Sequence, residues 1–472
     1  MKTPMAGRRK YSIKLMDKNF GRNVLAMVLL TVFLYIFVLF AYVYDTTWGQ
    51  TVSIDSPFLP KKHELWLVYE NWLTNYNINY TGSEKERRFE IFKDNLYYII
   101  EYNSNSTFKL GLNRFAGLSN EEYRSMLLGG GVVRERDQVE VGKSDERYKY
   151  ESGDKLPEFV DWRDKGAVGS VKDQGHNFSG GSWAFSATGS VEGINHIVTG
   201  ELIPLSEQEL VDCDEGFKSS VGVQIDHAFE FIVKKGGIHT VNDYPYKAVQ
   251  GVCDQNVVNN SKVVTINGYG NVPQNDEYSL KKAVAHQPVS VSIEAGSRHF
   301  QLYKSGVFNG ICGTELDHGV VAIGYGTEDG RDYWIVRNSW GTGWGENGYM
   351  RLERNVASTN TGKCGIAMRP SYPTKKPLTV CNNHYSCPES TTCCCVSNFG
   401  NYCYGWECCP VESATCCDDR SSCCPPEFPV CDTKAKTCLL SKDGPIGVKA
   451  LGRSPARPNM RVMITSRKLI VP

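Results

Sequence analysis

"KDQGHNFSGGSWAFSATGSVEGIN", Lys172 to Asn195, is the stretch on which the reading of this chain turns. A loop of Gly, Ser and Asn runs into Trp183-Ala184-Phe185. After it, Val191, Ile194, Ile197 and Val198 recur at helical spacing. Loop-to-helix junctions of this kind often carry a nucleophile, because a helix N-terminus stabilises a developing anion. The residue before the Trp is Ser182, however, and no cysteine lies between Met1 and Asp212. The segment has the shape of an active site without a thiol.

At 472 residues the chain is too long for one core and divides into several domains. Its formal net charge is zero, so nothing global points to nucleic acid. The 18 cysteines are uneven: four lie between Cys213 and Cys364, and the other fourteen crowd into Cys381 to Cys438. That even count and density read as disulfides in an oxidising compartment. With only His384 among those fourteen, zinc fits less well, and no metal site or cofactor is expected.

The N-terminus delivers the chain to that compartment. Val24 to Tyr44 carries no charge, and residues 1–23 before it are basic. A span of about 20 apolar residues crosses a bilayer, whereas a signal-peptide core is about 7–15. No clear cleavage site follows. We read residues 24–44 as a signal anchor with a cytosolic N-terminus, a long cleaved signal being the alternative; either places the body in the lumen.

Within "EKERRFEIFKDNLYYIIEYN", Glu84, Arg88, Phe92, Asn95, Ile99 and Asn103 fall on one helical face. Four of the six are polar, which suits a face that packs through specific hydrogen bonds. "LGLNRFAGLSNEEY" follows as a strand and a turn. A charged stretch from Gly129 to about Lys155 then has the composition of an exposed, cleavable linker. From about Leu156 the pattern is helical (Trp183–Thr199, Ser206–Asp212, Ala228–Lys235). It then turns to strands in "SVSIEA", "HGVVAIGYG", "DYWIVRNSWG" and "GYMRLER". A helical half followed by a sheet half predicts an α+β domain with a cleft between two subdomains. The tail from Leu439 to Pro472 is basic and without pattern.

"LPEFVDWRDKGAV", "SWAFSATGSVEGIN", "LSEQELVDCD", "LDHGVVAIGYG" and "YWIVRNSWGTGWGENGYMRL" together resemble papain-like cysteine proteases over residues 156–374. The six-residue stripe matches that family's inhibitory propeptide signature, here in 62–125 with an activation linker over 126–155. The module at 381–438 is similar to a granulin domain, as in granulin-bearing plant members, and 439–472 remains a basic tail. The resemblance implies a papain-like two-subdomain fold, helical in one half and β-barrel-like in the other. It also implies proteolysis in a lysosome, vacuole or secretory compartment. Partners would be the chain's own propeptide, protein or peptide substrates, and protease inhibitors.

Carried over residue by residue, the resemblance makes His318 the base, Asn338 its orienting partner and Gln174 the oxyanion donor. Trp340 would shield the Asn–His hydrogen bond, Trp183 would follow the nucleophile, and Ser182 would stand in the nucleophile position. It also implies bridges Cys213–Cys253 and Cys312–Cys364. Three departures stand out. The segment from Gln174 to Ser182 is two residues longer than the family's and lacks its cysteine. The partner turn of that cysteine is replaced by "FKSSVGVQIDHAF", with neither Cys nor Gly-Gly. The propeptide motif reads Gly111, Asn113, Phe115, Gly117, without its acid.

A Ser hydroxyl is far more basic than a thiol, so surroundings that yield a thiolate yield no resting alkoxide. Loss of a protease nucleophile costs on the order of 10⁶ in turnover. The chain is therefore expected to be an inactive or impaired peptidase homologue. The alternatives are an active endopeptidase, through Ser182 or through a cysteine hidden by a misplaced exon boundary, and a peptide-binding or granulin-centred interaction protein. Asn79, Asn105, Asn177 and Asn259 head N-glycosylation sequons, Asn177 close to Ser182.

Overall fold

The computed structural model describes residues 62–129, 146–175, 180–214, 225–258, 264–357, 359–388, 390–442 and 444–458. The apolar segment 24–44, the sequons at Asn177 and Asn259 and most of the altered loops at 175–182 and 217–225 lie outside them. The chain forms two compact units, Met1–Val68 and Tyr69–Pro472. Of the first, only residues 62–68 are described, and they are helical. Among the described residues, no helix is long and apolar enough to cross a membrane.

The N-terminal region is built on helices α1 (Lys62–Asn75), α2 (Gly82–Asn103) and α3 (Asn120–Leu127), with strand β1 (Lys109–Leu110) between the last two. Helix α3 falls where the sequence suggested only a turn. Its start is a capping box: Ser119 Oγ accepts from Glu122 N at 3.2 Å and Glu122 Oε2 from Ser119 N at 3.0 Å. Phe92 and Ile99 of α2 are buried, and Asn95 Nδ2 donates to the carbonyls of Ala116 and Leu118 at 2.8 and 3.0 Å. Asn103 closes two bonds with the backbone of Leu110, both at 2.9 Å. The polar stripe thus folds the chain that follows it back onto α2.

The larger domain starts with β2 (Val160–Asp161), then α4 (Ser182–Thr199), α5 (Glu207–Cys213) and α6 (Ile225–Lys234). Helix α4 is buried from Ser182 to Asn195, so it is packed on every side. Two glycines allow this. A Cβ at Gly193 would lie 2.6 Å from Pro288, and one at Gly189 would lie 2.9 Å from Val321. Gly200, at φ 78°, ends the helix in the left-handed conformation.

The second half holds β3 (Gly268–Asn271), β4 (Val289–Ile293), β5 (Tyr303–Ser305), β6 (Val307–Phe308), β7 (His318–Glu328), β8 (Arg331–Arg337), β9 (Tyr349–Glu353) and β10 (Ser371–Thr374). All of these except β5 join one eight-stranded sheet in the order β3-β10-β4-β7-β8-β9-β6, with β2 also paired to β7. Strand β5 pairs instead with β1 of the N-terminal region. Bridges join Cys213 to Cys253 and Cys312 to Cys364.

A buried ion network joins the halves. Lys172 Nζ lies 2.8 Å from Glu192 of α4, 2.6 Å from Glu207 of α5 and 2.9 Å from the Leu205 carbonyl. Arg337 of β8 approaches Glu192 at 3.5 Å and donates to the Ser170 carbonyl. Burial pushes both carboxyls up, but Lys172 and Arg337 outweigh it at Glu192 and hold that group below its usual range. At Glu207 burial prevails and its carboxyl is raised.

Seven bridges staple residues 381–438: Cys381–Cys393, Cys387–Cys408, Cys394–Cys416, Cys395–Cys403, Cys409–Cys423, Cys417–Cys431 and Cys424–Cys438. They link a stack of short hairpins. These are β11 (Thr379–Val380) with β12 (Tyr385–Cys387), β13 (Thr392–Phe399) with β14 (Tyr402–Cys409), β15 (Thr415–Cys416) with β16 (Ser422–Cys424), and β17 (Val430–Asp432) with β18 (Thr437–Leu439). Two regions depart from the sequence reading. In the linker, Tyr148 is buried and donates to Gln287 at 3.1 Å. In the tail, residues 447–458 form four strands, β19 (Gly447–Lys449), β20 (Leu451–Gly452), β21 (Ser454–Pro455) and β22 (Arg457–Pro458). Neither pattern shows as alternation, because backbone hydrogen bonding and one aromatic ring make the attachments.

Replacing Lys172 with Met strands two buried carboxylates. Removal of one partner from a buried pair costs about 3–5 kcal/mol. Lys172→Met is expected to lower peptidase-domain stability by that amount in urea unfolding at neutral pH. A loss below about 1 kcal/mol would show that the network is solvated and not a structural tie.

Candidate active site

His318 opens β7, where its pairing with Ile293 of β4 fixes its place. Its Nε2 lies 2.8 Å from Asn338 Oδ1, and that oxygen also accepts from Ser339 N at 2.7 Å. The Ser339 N–H requires an acceptor, which sets the Asn338 amide orientation; an amide oxygen cannot donate, so the imidazole does and its proton is on Nε2. Nδ1 is left as the free lone pair, buried and without a hydrogen-bond partner among the described residues. Trp340 stacks on the ring at 4.6 Å. The imidazole is fully buried, and desolvation pushes it down to about 4 against the upward pull of Asn338. The site therefore holds a neutral imidazole.

Ser182 is the first residue of α4, and Gly181 before it supplies no side-chain cap. The Ser182 hydroxyl oxygen is fully buried and accepts from Gly319 N at 3.0 Å. It does not engage His318 Nδ1. Among the described residues there is no free cysteine, so no thiol faces the imidazole. The sulfurs of Cys381, Cys387 and Cys393 cluster within 4.8 Å, as do those of Cys417, Cys424 and Cys431, but all are in bridges.

Gln174 is also fully buried. Its Oε1 accepts from Ser339 Oγ at 2.6 Å, and its backbone N–H donates to the Ser339 carbonyl at 2.8 Å. Its Nε2 donates to the Leu127 carbonyl at 3.1 Å. This side-chain donor thus holds a carbonyl of the chain's own N-terminal region. Gly129 N adds a bond to the Asp317 carbonyl at 3.0 Å, and Tyr123 Oη donates to Ala295 O at 2.8 Å. Phe115 and Tyr123 lie T-shaped to Trp340, with ring centroids 5.3 and 5.7 Å apart. Asn113 Nδ2 donates to the Gln301 carbonyl at 2.7 Å. The N-terminal region therefore fills the cleft through Gly129, beyond residue 125, where the sequence reading ended it.

Within the stripe, Arg88 contacts Glu84 and Glu122, both at 2.6 Å, and the Gly117 carbonyl at 3.0 Å. Asn95 Oδ1 accepts from Arg298 Nη2 at 2.7 Å. A Cβ at Gly117 would lie 2.7 Å from the Trp72 ring, so an acid cannot enter there without moving the indole. Of the sequons, Asn79 and Asn105 are exposed.

The structure thus brings Ser182, His318, Asn338, Gln174, Trp183 and Trp340 into one buried region. Sequence reasoning missed Leu127, Gly129, Asp317 and Gly319. Asp317 sits beside the imidazole in sequence, and burial pushes it up to about 7. The apolar pair Leu127-Leu128 before a Gly run was the one available signal for a cleft-filling segment.

Residues 156–374 match the papain family cysteine protease model, 69–123 the cathepsin propeptide inhibitor domain, and 392–439 the granulin model. The chain is 58% identical over 414 residues to the probable cysteine protease RD21B of Arabidopsis thaliana, covering 83% of this chain and 88% of that protein. It is 56% identical over 416 residues to cysteine proteinase RD21A of the same plant, covering 84% and 88%. Among solved structures, the recombinant stem bromelain precursor superposes with a TM-score of 0.58 at 42% identity, covering 66% of this chain and 99% of that one. The proform of the ragweed pollen allergen Amb a 11, a cysteine protease, gives 0.61 at 38% identity over 67% and 97%. The chain belongs to the papain family of cysteine proteases, with a propeptide inhibitor domain before its peptidase domain and a granulin domain after it.

Proposed function

We propose that this chain is a lumenal, self-inhibited papain-family homologue whose cleft binds peptide but turns it over poorly. The observation that carries this reading is the Ser182 hydroxyl accepting from Gly319 N at 3.0 Å while His318 Nδ1 has no hydrogen-bond partner among the described residues. A cysteine in this place would pass its proton to the imidazole and form an ion pair. A hydroxyl does not, and the imidazole stays neutral. Gln174 keeps its donor aimed into the cleft, and Leu127 shows that a peptide carbonyl can sit on it. We assign the nucleophile position to Ser182, base and orienting roles to His318 and Asn338, and the oxyanion donor to Gln174. Fully bridged cysteines favour a secretory or vacuolar lumen, reached through residues 24–44 as an anchor or a signal.

A second reading, hydrolysis through Ser182 itself, draws on the open lone pair of His318. Rotation of the hydroxyl from Gly319 N to Nδ1 would build a Ser–His–Asn set. Covalent labelling of Ser182 by a fluorophosphonate, after removal of the N-terminal region, would favour this second reading over the first.

Two outcomes follow from the geometry. The wild-type chain, freed of residues 62–129, is expected to give no adduct with a thiol-directed epoxide, whereas Ser182→Cys gives one. The kcat/KM of Ser182→Cys on a dipeptide reporter should stay about 100-fold below that of a variant that also shortens 175–182 by two residues and restores both cysteines, since displacement of about 1 Å carries such a loss. Equal kcat/KM would show that only the sulfur was missing.

The second outcome concerns pH. The buried His318 titrates near 4 when folded and near 6.5 when unfolded, so its contribution is full above about 6.5 and is lost as pH falls toward 4. The full difference is about 3 kcal/mol. Between pH 7 and 4, the wild type should lose that much more stability than His318→Gln, read from the peptidase-domain unfolding transition. Equal losses would mean the imidazole is solvated.

A further inference from the structure

Strands β12, β14, β16 and β18 of the four granulin hairpins each pair on their second side with residues 447–458, which run from the last hairpin back to the first. Strand β19 pairs with β18 (Cys438↔Val448), β20 with β16 (Cys423↔Leu451), β21 with β14 (Cys408↔Ser454) and β22 with β12 (Ser386↔Arg457). Backbone bonds bind the links between these strands. Ala450 N donates to Lys436 O at 3.0 Å, Arg453 N to Ser421 O at 3.0 Å and Ala456 N to Trp406 O at 3.1 Å.

Side chains give the pairing a sequence. Ala450, Leu451 and Ala456 each pack on one of three disulfide-lined clusters. Arg453 donates from Nε to Ser422 O at 2.7 Å and from Nη2 to Cys417 O at 2.5 Å. The two ends differ in kind. The hairpins are held by seven bridges, but no cysteine follows Cys438, so among the described residues the strap is held by hydrogen bonds and apolar contacts. Pro455 and Pro458 lie within the strap and cannot donate to a further strand. Such a strap covers an edge that would otherwise template pairing.

We propose that the granulin module carries a strand-addition site for an extended Ala-Leu-x-Arg-x-x-Ala segment, occupied in this chain by its own residues 447–458. When the resident strap is removed, the site takes the same segment from a second copy of the chain. Recognition combines main-chain pairing, which gives affinity, with the Arg453 anchor and the three apolar contacts, which give selectivity.

The test uses the full chain truncated after Lys442 and a fluorescent peptide spanning Gly444–Pro458. Saturable binding to the truncated chain, at least 10-fold weaker for the Arg453→Ala peptide and at least 10-fold weaker to the intact chain, is the expected result. Absence of binding to a truncated chain whose seven bridges are verified by peptide mapping would overturn the proposal. So would equal binding of the Arg453→Ala peptide, or equal binding to the intact chain. If truncation prevents folding, a protease site inserted after Lys442 is cut in the folded chain. The strap should then co-elute on size exclusion and exchange with the labelled peptide. A strap that is lost and not replaced contradicts the site.

Discussion

Lys172 sits in a loop, yet its ammonium is enclosed by Glu192 of α4, Glu207 of α5 and the Leu205 carbonyl. Arg337 of β8 reaches the same Glu192 from the sheet half. Charges taken out of water are tolerated only when each finds partners, so these groups constrain one another's positions. The constraint passes directly to the site. Gln174 is two residues beyond Lys172, Ser182 opens the helix that carries Glu192, and Asn338 follows Arg337. The cleft floor is thus set by an ion network that performs no chemistry itself.

Above that floor, the N-terminal region closes the cleft with the same residues that shape it. Trp340 stacks on His318 and lies T-shaped to both Phe115 and Tyr123. Gln174 orients itself on Ser339 and holds the Leu127 carbonyl. Removing the N-terminal region therefore exposes the indole and frees the Gln174 donor together. Inhibition and site assembly thus share one surface.

Much of this was legible in the sequence. The stripe from Glu84 to Asn103 signalled a hydrogen-bonding face, because its period is helical while its residues are polar. His318, Asn338 and Gln174 were singled out only through the resemblance of their flanking segments to a known family, and the structure places all three in one buried region. What was not legible follows from backbone chemistry. Gly319 contributes its N–H, Leu127 its carbonyl and Gly129 its N–H, and none of these depends on a recognisable side chain. The tail failed for the same reason: strands of two or three residues show no alternation, and only the hairpin edges beside them make residues 447–458 a strap. Helix α3 was read as a turn although Ser119 and Glu122 spell its capping box, because only eight residues follow.

The hydroxyl of Ser182 and the imidazole of His318 are neighbours without being a pair. Nitrogen NMR of the labelled His318 ring in the intact chain reads this directly. The expected result is a neutral ring between pH 5 and 8, protonated at Nε2 with Nδ1 bare, and a doubly protonated ring once Ser182→Cys supplies a thiolate. A doubly protonated or hydrogen-bonded Nδ1 in the wild-type chain near neutral pH would contradict it.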